Sequence, residues 1–166
     1  MIRPVEAWKD ARSITAIYNE YVLHSTATFE TVPLQETEML RRINDIASAF
    51  PYLVYEQDGS VTGFCYAHLW RERAAYRHTL ETTVYVSPQC RRQGIGSRLL
   101  ECLIRECRKL DCHALIACIT SENTASIALH ERFGFRRVSH FKEVGYKSGR
   151  WLDVSDLELM LTGRTE

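Results

Sequence analysis

The sequence predicts one α/β domain, and three observations carry that prediction. Segments with a helical apolar period trade places along the chain with segments of strand character. Three strand-like segments follow one another in the middle, joined by a turn and a bend, as a meander requires. A continuous apolar run at 114–119, flanked by helical stretches, has the length and composition of a central strand. At 166 residues, with 45% hydrophobic and 25% charged side chains, the chain suits a single domain spanning 1–166.

The elements follow in order. Residues 1–5 predict a first strand, and 10 to about 23 a helix, with Ile14, Ile17, Tyr18, Tyr21 and Val22 at helical spacing. Residues 24–33 are turn-rich and read as a loop whose large apolar residue is Phe29. The helical period returns through Leu40, Ile43, Ile46 and Ala47, over 34–50, and Pro51 closes it. Strands are expected at 52–56, 61–69 and 79–86, the first two turning at Asp58-Gly59. A helix over about 94–110 buries Ile95, Leu99 and Leu103. Beyond the 114–119 strand, Ser121 or Asn123 caps a short helix ending at Gly134, and 135–146 and 151–161 form a hairpin turned at 147–149.

The most informative segment is VYVSPQCRRQGIG, residues 84–96, which runs directly into the 94–110 helix. A strand-to-helix turn leaves the first helical amides without partners at the positive end of the helix dipole, where a phosphate accepts several hydrogen bonds. A Cβ at Gly94 or Gly96 would hold the phosphate off those amides, and Arg91, Arg92 and Arg98 add charge. Leu99 stands where a dinucleotide fingerprint needs its third glycine, and no lysine-serine pair marks a nucleotide P-loop.

Lysine plus arginine balance aspartate plus glutamate at 21 each, so neither nucleic acid nor an anionic membrane is the expected partner. The six cysteines include no C-x-x-C pair and no metal-ligand spacing, so no metal is expected and the thiols read as free, in a cytoplasmic protein. The sequence shows no signal-peptide core and no apolar run long enough to span a membrane.

The R-x-x-G-x-G loop behind a Val-x-Val strand resembles the acyl-CoA pyrophosphate loop of the GNAT superfamily of N-acyltransferases. YNEYVLHSTATFET, WRERAAYRHTLETTVYVSP, SENTASIALHERFGF and VGYKSGRWLDV extend the resemblance, in order, to the phosphinothricin and methionine sulfone/sulfoximine acetyltransferase branch. The resemblance implies the GNAT fold: a mixed, mostly antiparallel seven-stranded sheet splayed in the middle, between its fourth and fifth strands, flanked by about four helices, with acetyl-CoA as cosubstrate. It implies cofactor contacts from Arg91, Arg92, Gln93, Gly94, Ile95, Gly96 and Ser97, from the main chain of Val84, Tyr85 and Val86, and from Asn123. It also implies a homodimer, with the hairpin that bears Trp151 as a contact.

Amine acetylation requires a neutral amine, so a proton acceptor must stand beside the thioester, and Glu81 is the candidate general base. His130 occupies the place where many members carry a proton-donating tyrosine; it could donate a proton to the departing thiolate, orient water or polarise the carbonyl. The branch acetylates the α-amine of small glutamate- or methionine-like amino acids. By resemblance, Arg71, Arg73 and Tyr76 hold the carboxylate and the phosphinyl or sulfonyl oxygens, Phe29 walls the pocket and Thr83 bonds the substrate. Glu72 between the two arginines departs from a purely cationic site. The alternatives are another acceptor (a protein N-terminus, polyamine or aminoglycoside) and a non-catalytic acyl-CoA sensor that needs neither Glu81 nor His130. A polyamine site calls for acids, and Arg71 and Arg73 have the opposite sign.

Overall fold

A computed structural model describes residues 1–161. The elements are β1 (Ile2–Pro4), α1 (Ala7–His24), α2 (Glu36–Ala47), β2 (Tyr52–Gln57), β3 (Ser60–Leu69), β4 (Thr79–Val86), α3 (Ile95–Cys107), β5 (Ala114–Thr120), α4 (Thr124–Arg132), β6 (Arg136–Lys147) and β7 (Arg150–Met160). One seven-stranded sheet takes the order β1-β2-β3-β4-β5-β7-β6. β4 and β5 are parallel and the other neighbours antiparallel, so the sheet is mixed and mostly antiparallel, as the resemblance implied. The expected single domain includes 162–166, which lie outside the described residues.

Two helix boundaries differ from the sequence reading, each for a visible reason. α1 starts at Ala7 rather than near 10 because Asp10 reaches back and accepts the Glu6 N–H at 2.8 Å, in place of a capping side chain at Glu6. α2 starts at Glu36 rather than 34 because Asn19 holds both main-chain groups of Leu34, at 2.8 and 2.9 Å, against α1.

The core lies on both faces of the sheet. On one face α3 buries Leu99, Leu100 and Leu103 against Leu80, Leu115, Ala117 and Leu157, each leucine contributing about 1.5–3 kcal/mol. On the other, α1 and α2 cover β2–β4 through Ile14, Val22, Ile43, Val54 and Phe64. Asp10, 1% exposed, is tied to Arg3 by two 2.8 Å bonds. Burial raises its carboxyl pKa, but Arg3 and the Glu6 N–H more than reverse this and hold it below the ordinary value.

The sheet opens in the middle. β4 pairs with β5 only through Thr79–Ala114, Leu80–Leu115 and Glu81–Ile116, while β5 runs on beside β7 to Thr120. Beyond Thr82, whose hydroxyl still reaches Ile116 O at 3.3 Å, β4 has a free side, and the gap between the two strands is the floor of a cleft. No described helix is long and apolar enough to cross a membrane.

Candidate active site

The register decides which groups face the cleft. Trp70 N–H bonds Thr79 O and Ser87 N–H bonds Thr62 O at the two ends of the β3–β4 pairing. Bonded and non-bonded pairs alternate in an antiparallel ladder. Thr79, Glu81, Thr83 and Tyr85 therefore turn their main-chain groups to β3, and Thr82, Val84 and Val86 turn theirs to the gap. This corrects the expected main-chain role of Tyr85. Its phenol instead packs among Tyr18, Tyr21 and Phe64 and reaches Ala27 O at 3.4 Å. The Val86 carbonyl is already bonded by the Tyr21 hydroxyl at 2.6 Å, which leaves Val84 with both main-chain groups available on that side.

The cleft, about 1360 Å³, runs from the glycine loop past Glu81. At the loop end Arg92 (φ +62°) and Gly94 (φ +74°) both take the left-handed conformation, which turns successive N–H groups into one concavity. The α3 ladder begins with Arg98 N–H to Gly94 O, so the amides of Ile95, Gly96 and Ser97 precede it and face the cleft end. A side chain at Gly94 would be strained by its φ alone. Arg91 and Arg92 line the cleft, and the Arg91 guanidinium lies 5.5 Å over the Tyr21 ring. Arg98 turns the other way and bonds the Tyr55 hydroxyl at 3.0 Å, and neither it nor Gln93 is on the cleft wall.

Glu81 stands where β4 and β5 part. His68 is its cross-strand partner on β3, and Cys118 lies two residues beyond its β5 partner Ile116, on the same face. Asp156 pairs with Cys118 from β7. Burial pushes the Glu81 carboxyl above the ordinary glutamate range, partly offset by His68 and a hydrogen bond with Cys118, while Asp156 adds upward repulsion. Burial likewise pushes the Cys118 thiol up, with Glu81 and Asp156 adding to it, so it remains a protonated donor to carboxylate. Neither His68, Cys118 nor Asp156 was singled out from sequence. Strand parity applied across the four strands was the signal that could have found them. Among the described residues no group of three or more such side chains is placed to hold a metal ion.

His130 on α4 is 4% exposed, packs edge-on against Phe135 at 5.0 Å and lines the cleft. Its Nδ1 lies 2.8 Å from the Ser126 carbonyl, which can only accept, so Nδ1 carries the proton and Nε2 presents a lone pair. Nε2 is buried and without a partner among the described residues. Burial lowers the imidazole pKa, opposed by the bond to Ser126. Of the roles expected for His130, the neutral tautomer suits accepting a hydrogen bond and does not supply a proton. Asn123 caps α4, taking the Ser126 N–H at 3.2 Å, and lines the cleft as well.

Phe29 and Thr83 line the cleft as expected. Arg71, Arg73 and Tyr76 do not. Arg71 is stacked 4.2 Å over Trp70 and 5.5 Å from Tyr76, in the exposed loop between β3 and β4. That loop begins at the Trp70–Thr79 pair, two residues along each strand from the His68–Glu81 pair, so it rises from the Glu81 end of the cleft without walling it.

The match to the family model for the acetyltransferase (GNAT) domain covers residues 2–155. A phosphinothricin N-acetyltransferase of Alcaligenes faecalis is 46% identical over 147 residues, covering 87% of this chain and 75% of the relative. An L-methionine sulfoximine/L-methionine sulfone acetyltransferase of Salmonella typhimurium is 38% identical, covering 92% and 90%. Among solved structures, a Salmonella typhimurium acetyltransferase with its cofactor acetyl-CoA superposes with a TM-score of 0.95 at 36% identity, over 100% of this chain and 96% of that one. A phosphinothricin acetyltransferase of Sinorhizobium meliloti in complex with acetyl-CoA gives 0.93 at 40% identity, over 96% and 87%.

Proposed function

The chain belongs to the GNAT acetyltransferase family, and from that premise we propose that it is an acetyl-CoA-dependent N-acetyltransferase of small amino-acid analogues, with Glu81 as general base. The acceptors are the α-amines of phosphinothricin, methionine sulfone and methionine sulfoximine, on which relatives at 46% and 38% identity are named to act. The observation that carries the reading is the division of one cleft into an anion-binding end and a half-buried carboxylate at the parting of the sheet.

The chain's residues fit the cosubstrate. The amides of Ile95, Gly96 and Ser97 with Arg91 and Arg92 suit a pyrophosphate, and the unpaired main chain of Val84 suits an extended, amide-bearing arm laid along β4 like an added strand. Acetyl-CoA supplies the activated acetyl group. Glu81 accepts the proton of the incoming ammonium; a carboxyl raised by burial is a better match for that task than an exposed one. His68 and Cys118 oppose that rise and favour the ionised form that accepts the proton. His130 accepts a hydrogen bond through Nε2 beside the site of transfer. Arg71 or Arg73 swings from its loop to clamp the acceptor carboxylate.

We extend the proposal to a cytoplasmic homodimer. β6 is an edge strand of the sheet, and Val138, Phe141, Val144, Tyr146 and Trp151 on the terminal hairpin are all about half exposed, an apolar surface of the kind partners cover. Light scattering should report twice the chain mass, and Phe141→Glu with Trp151→Glu should halve it.

Mass-spectrometric detection of N-acetyl product from acetyl-CoA and each of the three acceptors tests the activity. Product from at least one is expected. Acetyl-CoA binding with product only from a polyamine, an aminoglycoside or a peptide N-terminus, or with none at all, would overturn the acceptor assignment.

A further inference from the structure

Lys147, the last residue of β6, is 6% exposed. Lysines are seldom buried this far, because the ammonium loses its hydration. Here its Nζ donates to the Ser25 carbonyl at 2.7 Å and the Thr28 carbonyl at 2.8 Å, with Tyr21 O at 3.5 Å. Tyr21 lies in the last turn of α1 and Ser25 just beyond it, so the cation sits at the negative end of that helix dipole. A cation solvated by carbonyls 119–126 residues away in sequence ties loop 25–29 to the terminal hairpin.

Two residues earlier on β6, Gly145 makes a second attachment. A Cβ there would overlap Cε2 and Cζ of Phe29, so the ring packs directly against the bare backbone. Thr120 Oγ1 holds Thr26 O at 2.6 Å, and Glu122 joins the Thr26 hydroxyl to Arg150 of β7. Loop 25–29 is thus pinned by side chains from three strand regions, and Ser25, Thr26, Ala27, Thr28 and Phe29 form one wall of the cleft.

We propose that Lys147 and Gly145 are positioning residues that clamp loop 25–29 over the cleft and thereby set, through Phe29, which amino-acid side chains the site accepts. The specificity part rests on the acceptor reading above; the clamp itself does not. Neither residue touches the acceptor, and both act through the loop.

The test uses the full chain as Lys147→Met, Gly145→Ala, Phe29→Ala and Phe29→Ala/Gly145→Ala. Hydrogen exchange of peptide 24–30 should accelerate by about tenfold or more in Lys147→Met while α3 peptides keep wild-type rates. KM for L-phosphinothricin and L-methionine sulfone should rise about fivefold or more with kcat within about twofold, and the ratio of the two kcat/KM values should change. Acetyl-CoA affinity by calorimetry should stay within about twofold. Gly145→Ala should alter the acceptor ratio in the wild-type background and leave it unchanged in Phe29→Ala. If Lys147→Met does not fold, that double-mutant cycle decides alone. Unchanged loop exchange in Lys147→Met, or a Gly145→Ala effect that persists without Phe29, overturns the clamp. A wild-type enzyme that acetylates none of the three acceptors defeats the acceptor reading instead, and the exchange rates still judge the clamp.

Discussion

The two ends of the cleft are built by different means. At the glycine loop the working groups are main-chain amides of consecutive residues, Ile95 to Ser97, aimed by one left-handed turn and backed by Arg91 and Arg92. At the parting of β4 and β5 they are side chains from four strands, His68, Glu81, Cys118 and Asp156, which meet only through the register of the sheet. The first end is positive and exposed, suited to hold a large anion without chemistry. The second is acidic and half-buried, suited to move one proton. Binding and proton transfer are therefore separable in this molecule, and variants at one end should leave the other's signature intact.

The sharpest separation should come from Glu81→Gln. It removes the base and keeps the shape, so kcat/KM should fall by about 10² to 10⁴, with acetyl-CoA affinity by calorimetry within about twofold of wild type. Gly96→Val acts at the opposite end. A Cβ at Gly96 meets Leu129 and Val86 only at ordinary contact distance, 3.4 and 3.7 Å, and Gly96 lines the cleft, so valine there adds bulk beside the Ile95–Ser97 amides and the acetyl-CoA Kd should rise by about tenfold or more. If acetyl-CoA affinity fell with Glu81→Gln as steeply as with Gly96→Val, the two ends would not be independent. Arg71→Ala should raise the acceptor KM about tenfold, the loss of a charge-assisted bond, without altering acetyl-CoA affinity; no change would assign the carboxylate to Arg73 or to another group. The smallest effect is on titration. His68 lowers the Glu81 pKa, so His68→Gln should move the acid limb of the kcat/KM profile to higher pH.

The same contrast explains what the sequence disclosed. The loop was legible because its chemistry is local: a strand, a glycine pair and a helix start within thirteen residues, 84–96. The strands were legible from alternation and the helices from their period, with errors at Glu36 and Ala7, where Asn19 and Asp10 intervene from outside the local pattern. Glu81 and His130 were legible through family resemblance rather than spacing. The tautomer of His130 was not, because it depends on where the Ser126 carbonyl points. Arg71 looked like a pocket residue, and its stacking on Trp70 appears only in three dimensions. Lys147 was read as part of a turn, since its partners Ser25 and Thr28 lie at the other end of the chain.

The central claim is that Glu81 takes the amine proton, and the pH dependence of kcat/KM in wild type and Glu81→Gln, followed by N-acetyl product, tests it most directly. Protonated Glu81 cannot act, so activity is lost as pH falls through its pKa, and burial places that pKa above the ordinary glutamate value of 4.5. The expected result is an acid limb above that value in wild type and its disappearance from the residual activity of Glu81→Gln. An acid limb that keeps its position in Glu81→Gln would contradict the assignment and move the base to another residue.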